Sequence, residues 1–155
     1  MMPYFRSQAS PPRLPEGYVL AWETLPVDVD DVQALLERCG APVRPVARLA
    51  LALERSNWSV RVRDADDQLV GFLRITSDGA LNANLWDLAV DPDVDSHQTV
   101  LTVLIHSAVS RLRRELTGCS ISLAAPPDTL DVLESQGFLV DPNGIRAMGL
   151  ALGSP

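Results

Sequence analysis

The stretch Asn82–Val109, NANLWDLAVDPDVDSHQTVLTVLIHSAV, decides the fold. Its opening, NLWDLAVDP, alternates side chains and stops at a proline, the pattern of a strand that ends in a turn. Strict alternation predicts Leu85, Asp87 and Ala89 on one face of strand Leu85–Val90, with Trp86, Leu88 and Val90 on the other. The closing part repeats apolar residues at helical spacing. From about Gln98 to Leu116, the residues Leu101, Leu104, Ile105, Ala108, Val109, Leu112 and Leu116 form one stripe, which predicts a long helix packed on a sheet. A strand that runs straight into a helix turns free N–H groups and the positive helix end toward the gap, a common seat for phosphate. Glycines usually line such a gap, yet here it reads PDVDSHQT. Asp95 is placed to cap the helix, with Gln98 three residues later as in a capping box. The expectation is that the chain's own carboxylate takes those donors.

Working outward, Tyr18–Leu25 reads as a strand and Val29–Cys39 as a short helix capped by Asp28 or Asp30 and ended by Gly40. After the breakers APVRP, Val46–Arg55 reads as a second helix with Val46, Leu49, Ala50 and Leu53 on one face. Trp58–Arg63 alternates, the turn DADDQ follows, and LVGFLRI completes a hairpin. The turn SDGALNA leads into the central strand. Beyond the main helix, CSISLAA reads as a buried strand, DTLDVLESQ as a short helix stopped by Gly137, and FLVDPNGIRAMGLAL as strand material on either side of a DPNG turn. Residues 1–17 hold four of the twelve prolines and no periodicity, so an extended tail precedes one domain over 18–155. The order β-αα-βββ-α-β-α-β predicts an α/β (α+β) domain, with a mixed central sheet of about six to seven strands flanked by helices.

At 155 residues, 46% hydrophobic and 21% charged, the chain can bury a core of its own. A net charge of −7 argues against nucleic acid and anionic membrane as partners. Apolar runs fall short of the ~20 residues that span a bilayer, and the first seventeen residues lack an apolar signal core, so a cytoplasmic location is expected. Cys39 and Cys119 stand apart with no histidine pair nearby, which leaves no metal-ligand pattern. All thirteen basic residues are arginine, so no lysine is present for Schiff-base chemistry. Trp58 and Trp86 read as core aromatics, and Asn82 and Asn84 as turn formers.

Four motifs in order, TSDGALNANLWDLAVDP, GCSISLAA, LESQGF and VDPNGIRAM, resemble the GNAT acyltransferases, in particular the plastid- and cyanobacterial-type N-acetyltransferases that include serotonin N-acetyltransferases. The resemblance covers about Leu49 to Met148. It implies a GNAT fold in which acetyl-CoA lies in an opening between the fourth and fifth strands, with the backbone of Leu88, Ala89 and Val90 along its pantetheine arm. It also sets the pyrophosphate against the start of the main helix, beside His97, Gln98, Thr99 and Val100. Asp87 matches an acidic position that serves as base toward an amine substrate. Two parts depart from the pattern. The loop glycines are Gln98 and Val100, whose Cβ atoms are expected to obstruct a phosphate. The position of the acid tyrosine is Leu133, which cannot donate a proton. Asp93 and Asp95 each oppose a phosphate at ~5 Å by about 3 kcal/mol before screening, at an effective dielectric near 20. Three readings stand: an N-acetyltransferase acting on an amine, an inactive GNAT-fold module that binds a protein partner, or a binder of some other small ligand in the same strand cleft. A homodimer is compatible with each.

Overall fold

The computed structural model describes residues 10–23 and 28–152. Residues 1–9 of the expected tail and 24–25 of the expected first strand lie outside that range. The elements are β1 (Val19–Glu23), α1 (Val29–Arg38), α2 (Val46–Glu54), β2 (Trp58–Arg63), β3 (Leu69–Ser77), β4 (Asn82–Val90), α3 (His97–Glu115), β5 (Ser120–Ser122) and α4 (Leu130–Ser135). The strands lie in chain order in a single sheet, antiparallel from β1 to β4 and parallel between β4 and β5. Local chemistry sets the ends. The Asp28 carboxylate accepts from the amides of Asp30 and Asp31 at the start of α1, and Gly40 (φ +83°) supplies the left-handed turn after it.

The alternation of β2 through β4 divides the core between the two faces of the sheet. α3 covers one face, where Val60, Leu73, Ile75 and Leu85 meet Leu101, Leu104, Ile105 and Ala108. α1 and α2 cover the other, where Val32, Leu35, Leu36 and Leu49 meet Leu69, Phe72 and Ala89. The residues of the expected α3 stripe are buried, apart from a half-buried Leu116. In α2 only Leu49 is fully buried, and Val46 is 52% exposed, so the expected apolar face is only partly used.

Three expectations are corrected. The sheet has five strands, and among the described residues none follows β5; the segment from Leu139 onward is exposed and not strand. Asp141 (φ +44°) and Asn143 (φ +55°) fold the DPNG stretch into a left-handed turn. β5, expected to be buried over CSISLAA, is three residues long and half exposed, because nothing pairs with its outer edge. The face assignment in β4 is also different. Register slips by one residue between the Phe72–Ala89 and Arg74–Trp86 pairs, and Asp87 stands in the left-handed region at φ +56°. This bulge sets Leu85, Leu88 and Val90 on the α3 face, and Asp87 on the opposite side with Ala89.

Gly71 of β3 lets α3 lie close to the sheet. A Cβ there would stand 3.1 Å from Val100 Cγ1 and 3.3 Å from Val62 Cβ. Gly71→Ala is expected to cost about 1–3 kcal/mol, measured by chemical denaturation, through overpacking between two fully buried neighbours. An unchanged midpoint would show that the helix gives way freely. The β3–β4 hairpin offers a second check. Amides of Asn82, Ala80 and Leu81 donate to Asp78 and hold its carboxyl at about 2, below the usual ~3.9. Because this value is depressed, the turn's support is present above pH ~4 and fades as pH falls through about 2. A carboxyl titration followed by NMR should find that midpoint; one near 3.9 would mean the turn is open in solution.

Candidate functional site

β4 and β5 pair only from Asn82–Asn84 to Ser120–Ser122. Beyond Asn84, β4 runs on to Val90 while the segment leaving β5 departs toward Pro126, so the two strands separate, as the resemblance implied. The gap is a cleft of about 340 Å³. Its floor is Asp87–Val90 of β4. One wall is the end of α1 (Arg38, Cys39), another the start of α3 (His97, Leu101), and the third is Pro126, Asp128 and Thr129. Among the described residues no strand pairs with the outer backbone groups along this half of β4; the Val90 carbonyl accepts from the Cys39 thiol, and the rest of the edge faces the cleft.

The junction above the cleft differs from the expected self-capped helix. The N-cap is Ser96, with no side-chain cap, and Asp95 is exposed without a hydrogen bond among the described residues. The amide of His97 donates to Val94 O (3.1 Å) and that of Val100 to Ser96 O (2.9 Å). Those of Gln98 and Thr99 have no acceptor among the described residues. The capping box is therefore absent, and the amides of Gln98 and Thr99 remain open. Val100 is a second correction. Its side chain is fully buried against Gly71, and its amide is engaged, so it neither obstructs nor binds a guest. The exposed carboxylates of Asp93 and Asp95 still flank the junction.

Asp87 reaches both the cleft and the opposite side of the bulge. Its Oδ2 accepts from Arg74 Nε at 2.6 Å and its Oδ1 from Arg44 Nη1 at 2.8 Å, with 6% of the carboxylate side chain exposed. Each oxygen accepts from one guanidinium, so both are held in place, and each keeps a second lone pair. Arg44 comes from the α1–α2 connection and Arg74 from β3. Neither was picked out by sequence pattern, because the contacts span 43 and 13 residues. The same is true of Arg38, whose Nε meets Asp91 Oδ2 at 2.7 Å and whose Nη2 donates to Leu69 O. An Asp preceding Pro92 was the only local hint.

Leu133 is 2% exposed and belongs to the core beneath α3, outside the cleft. Trp86 is 43% exposed rather than a core aromatic; its indole donates to Thr76 Oγ1 (2.7 Å) and Arg74 stacks over its ring. Trp58 is buried as expected, edge-on to Trp22. Asn82 and Asn84 are strand residues, and Asn84 Oδ1 accepts from Ser122 Oγ where the two strands still pair.

Cys39 stands at the mouth of the cleft with Sγ donating to Val90 O at 3.3 Å. Cys39 is exposed as a residue, but partial desolvation at the cleft mouth pushes its thiol up and the Asp91 carboxylate adds to this, while the Arg38 guanidinium opposes. The thiol is thus protonated at neutral pH, which makes it a poor nucleophile. Alkylation of Cys39 by iodoacetamide, read by mass spectrometry, should be slower at pH 8 than that of a free thiol and should level off at a higher pH than a free thiol does. A rate that levels off below pH ~8.5 would contradict the desolvation argument.

No protein-family model matches the chain. An uncharacterized N-acetyltransferase, ycf52, of Pyropia yezoensis is 31% identical over 125 residues, which cover 79% of this chain and 71% of that one. GCN5-related N-acetyltransferase 2, chloroplastic, of Arabidopsis thaliana is 33% identical over 141 residues, 79% of this chain and 54% of its own length. Among solved structures, a probable acetyltransferase, SA2161, of Staphylococcus aureus superposes with a TM-score of 0.75 at 16% identity, covering 87% of this chain and 99% of that chain. The GNAT family N-acetyltransferase YhbS of Escherichia coli, solved in complex with CoA, superposes at 0.57 with 18% identity over 81% of this chain and 71% of that one.

Proposed function

This chain belongs to the GNAT family of N-acetyltransferases, and we propose that its β4–β5 cleft binds acetyl-CoA and directs the acetyl group to an amine. The observation that carries this reading is the edge of β4 from Asp87 to Val90, which pairs with no strand among the described residues and shares its cleft with His97 at the start of α3. An extended, amide-rich arm matches the strand edge, and a phosphate matches two free N–H groups at a helix start with His97 beside them. Acetyl-CoA supplies an activated thioester. The chain's residues supply position: Leu88 and Val90 align the arm, and Gln98 and Thr99 hold the charged end. The ion-paired state of Asp87 assigns it to holding the bulge, so the amine's proton leaves to solvent. No acid stands at Leu133, and a thiolate departs without one at a cost of ~10²–10⁴ in rate.

A second reading, an inactive module that binds a protein partner, is supported by the same two residues. Leu133 is sealed in the core and Asp87 has both oxygens held by guanidinium groups. Asp93 and Asp95 also weaken anion binding, although the expected cap and the expected Val100 obstruction no longer do.

Titration calorimetry with acetyl-CoA separates the readings. Binding is expected in the wild type, and Asp93→Asn/Asp95→Asn is expected to tighten it about tenfold, or ~1.4 kcal/mol, once screening has reduced each pair to somewhat under 1 kcal/mol. Thiol release with a panel of primary amines then tests turnover. Absence of binding to both forms would leave the partner-binding module as the better account. Binding without turnover would make the cleft a sensor of the cofactor.

A further inference from the structure

Arg38, the last residue of α1, lines the cleft and meets Asp91, the first residue after β4. Its guanidinium is fixed from two directions: Nε donates to Asp91 Oδ2 at 2.7 Å, and Nη2 to Leu69 O at 2.9 Å. The first anchor is itself held. Asp91 is 7% exposed, its amide donates to Val70 O, and its other carboxylate oxygen accepts from the amide of Asp93. A guanidinium carries five N–H donors in one plane, and these two bonds use two of them. The other three meet no acceptor among the described residues. With 38% of its area in solvent, the side chain is held in place without being enclosed. Fastening α1 to the sheet explains the two bonds and leaves the three donors without a task. His97, the first residue of α3, lines the same cleft, and its imidazole has no hydrogen bond among the described residues.

We propose that Arg38 is a binding residue for the pyrophosphate of acetyl-CoA, supplying from the end of α1 the contacts that a glycine loop would supply at the start of α3. This rests on the reading that the cleft takes the cofactor, and it adds the group that offsets Asp93 and Asp95. A planar fork offers paired donors to two oxygens of a phosphate at once, which a single backbone amide does not. Because Asp91 and Leu69 fix the fork beforehand, little side-chain freedom remains to be lost when a guest arrives. Asp91 also balances the charge of Arg38, so the residue acts through the direction of its donors more than through net charge. The arrangement fits the loop as well. With Val100 committed to the core against Gly71, the start of α3 has given up the close approach that glycines allow. A long side chain from the α1 wall reaches the same guest without it.

Two ligands that share the thioester arm test this: acetyl-CoA, and S-acetylpantetheine, which lacks the pyrophosphate and the nucleotide. Titrations of the full chain followed by NMR read the affinity of both. Arg38→Met keeps an apolar stem and removes the fork. It is expected to weaken acetyl-CoA about tenfold or more and S-acetylpantetheine by less than about twofold. Arg38→Lys keeps a cation beside Asp91, and with it the tie of α1 to the sheet, but lacks the fork; it is expected to weaken acetyl-CoA in the same selective way. Circular dichroism confirms that each variant is folded. Equal weakening of both ligands overturns the assignment, since Arg38 then shapes the cleft without touching the phosphates. Undiminished binding of acetyl-CoA by both variants overturns it as well. A wild type that binds neither ligand overturns the cleft reading itself, and this inference with it.

Discussion

Asp87 holds a conformation that few non-glycine residues adopt, and the cleft depends on it. A left-handed residue in a strand costs roughly 1–2 kcal/mol, and here two guanidinium groups grip its carboxylate from different elements. Arg74 anchors it to the neighbouring strand, and Arg44 ties it to the α1–α2 connection. The extra residue reverses which side chains face α3 and increases the local twist of β4. Pairing with β5 ends at Asn84, three residues short of the bulge, and the cleft opens from there. One ion-paired aspartate thus links sheet geometry, the seating of the α1–α2 connection and the floor of the site.

Above that floor, α3 is held by contact rather than by a cap. Val100 packs on Gly71 at the first turn, and the apolar stripe continues to Leu112. Burial at this scale, about 1.5–3 kcal/mol for each large apolar side chain, outweighs the ~1 kcal/mol that a capping side chain contributes. The helix start can therefore leave two amides unsatisfied. Uncapped donors at a helix start are what an anion needs, while exposed carboxylates at Asp93 and Asp95 work against one. The balance between these opposed terms, rather than the presence of the fold, governs how strongly the site takes a charged guest.

The sheet is well buried on one side of this site and thin on the other. From β2 to β4 both faces are covered by helices, but β5 is a three-residue strand with an open edge beside an apolar groove. The chain that follows turns away through Asp141 and Asn143 and leaves its large side chains in water. A domain whose last described residues, 139–152, are this apolar and this little buried has an unfinished side in isolation. That side lies beyond β5, on the far side of that strand from β4.

By itself the sequence determined the order and type of the elements, because these depend on local pattern. Period-two alternation marked β2, helical spacing marked α3, and Asp28, Gly40 and Gly137 act on their immediate neighbours. It also determined family membership and the separation of β4 from β5. Tertiary structure decided the rest. The faces of β4 followed from a bulge that no local pattern announced, since Asp87 takes its conformation from arginines 43 and 13 residues away. The expected Asp95 cap failed because packing at Val100 positions the helix without it. The strands expected after Gly137 did not form, although their apolar residues were visible, because a strand exists only when something pairs with it. Local propensity specifies what a segment is able to be; the hydrogen-bond and ion partners that decide what it becomes are brought by distant parts of the chain.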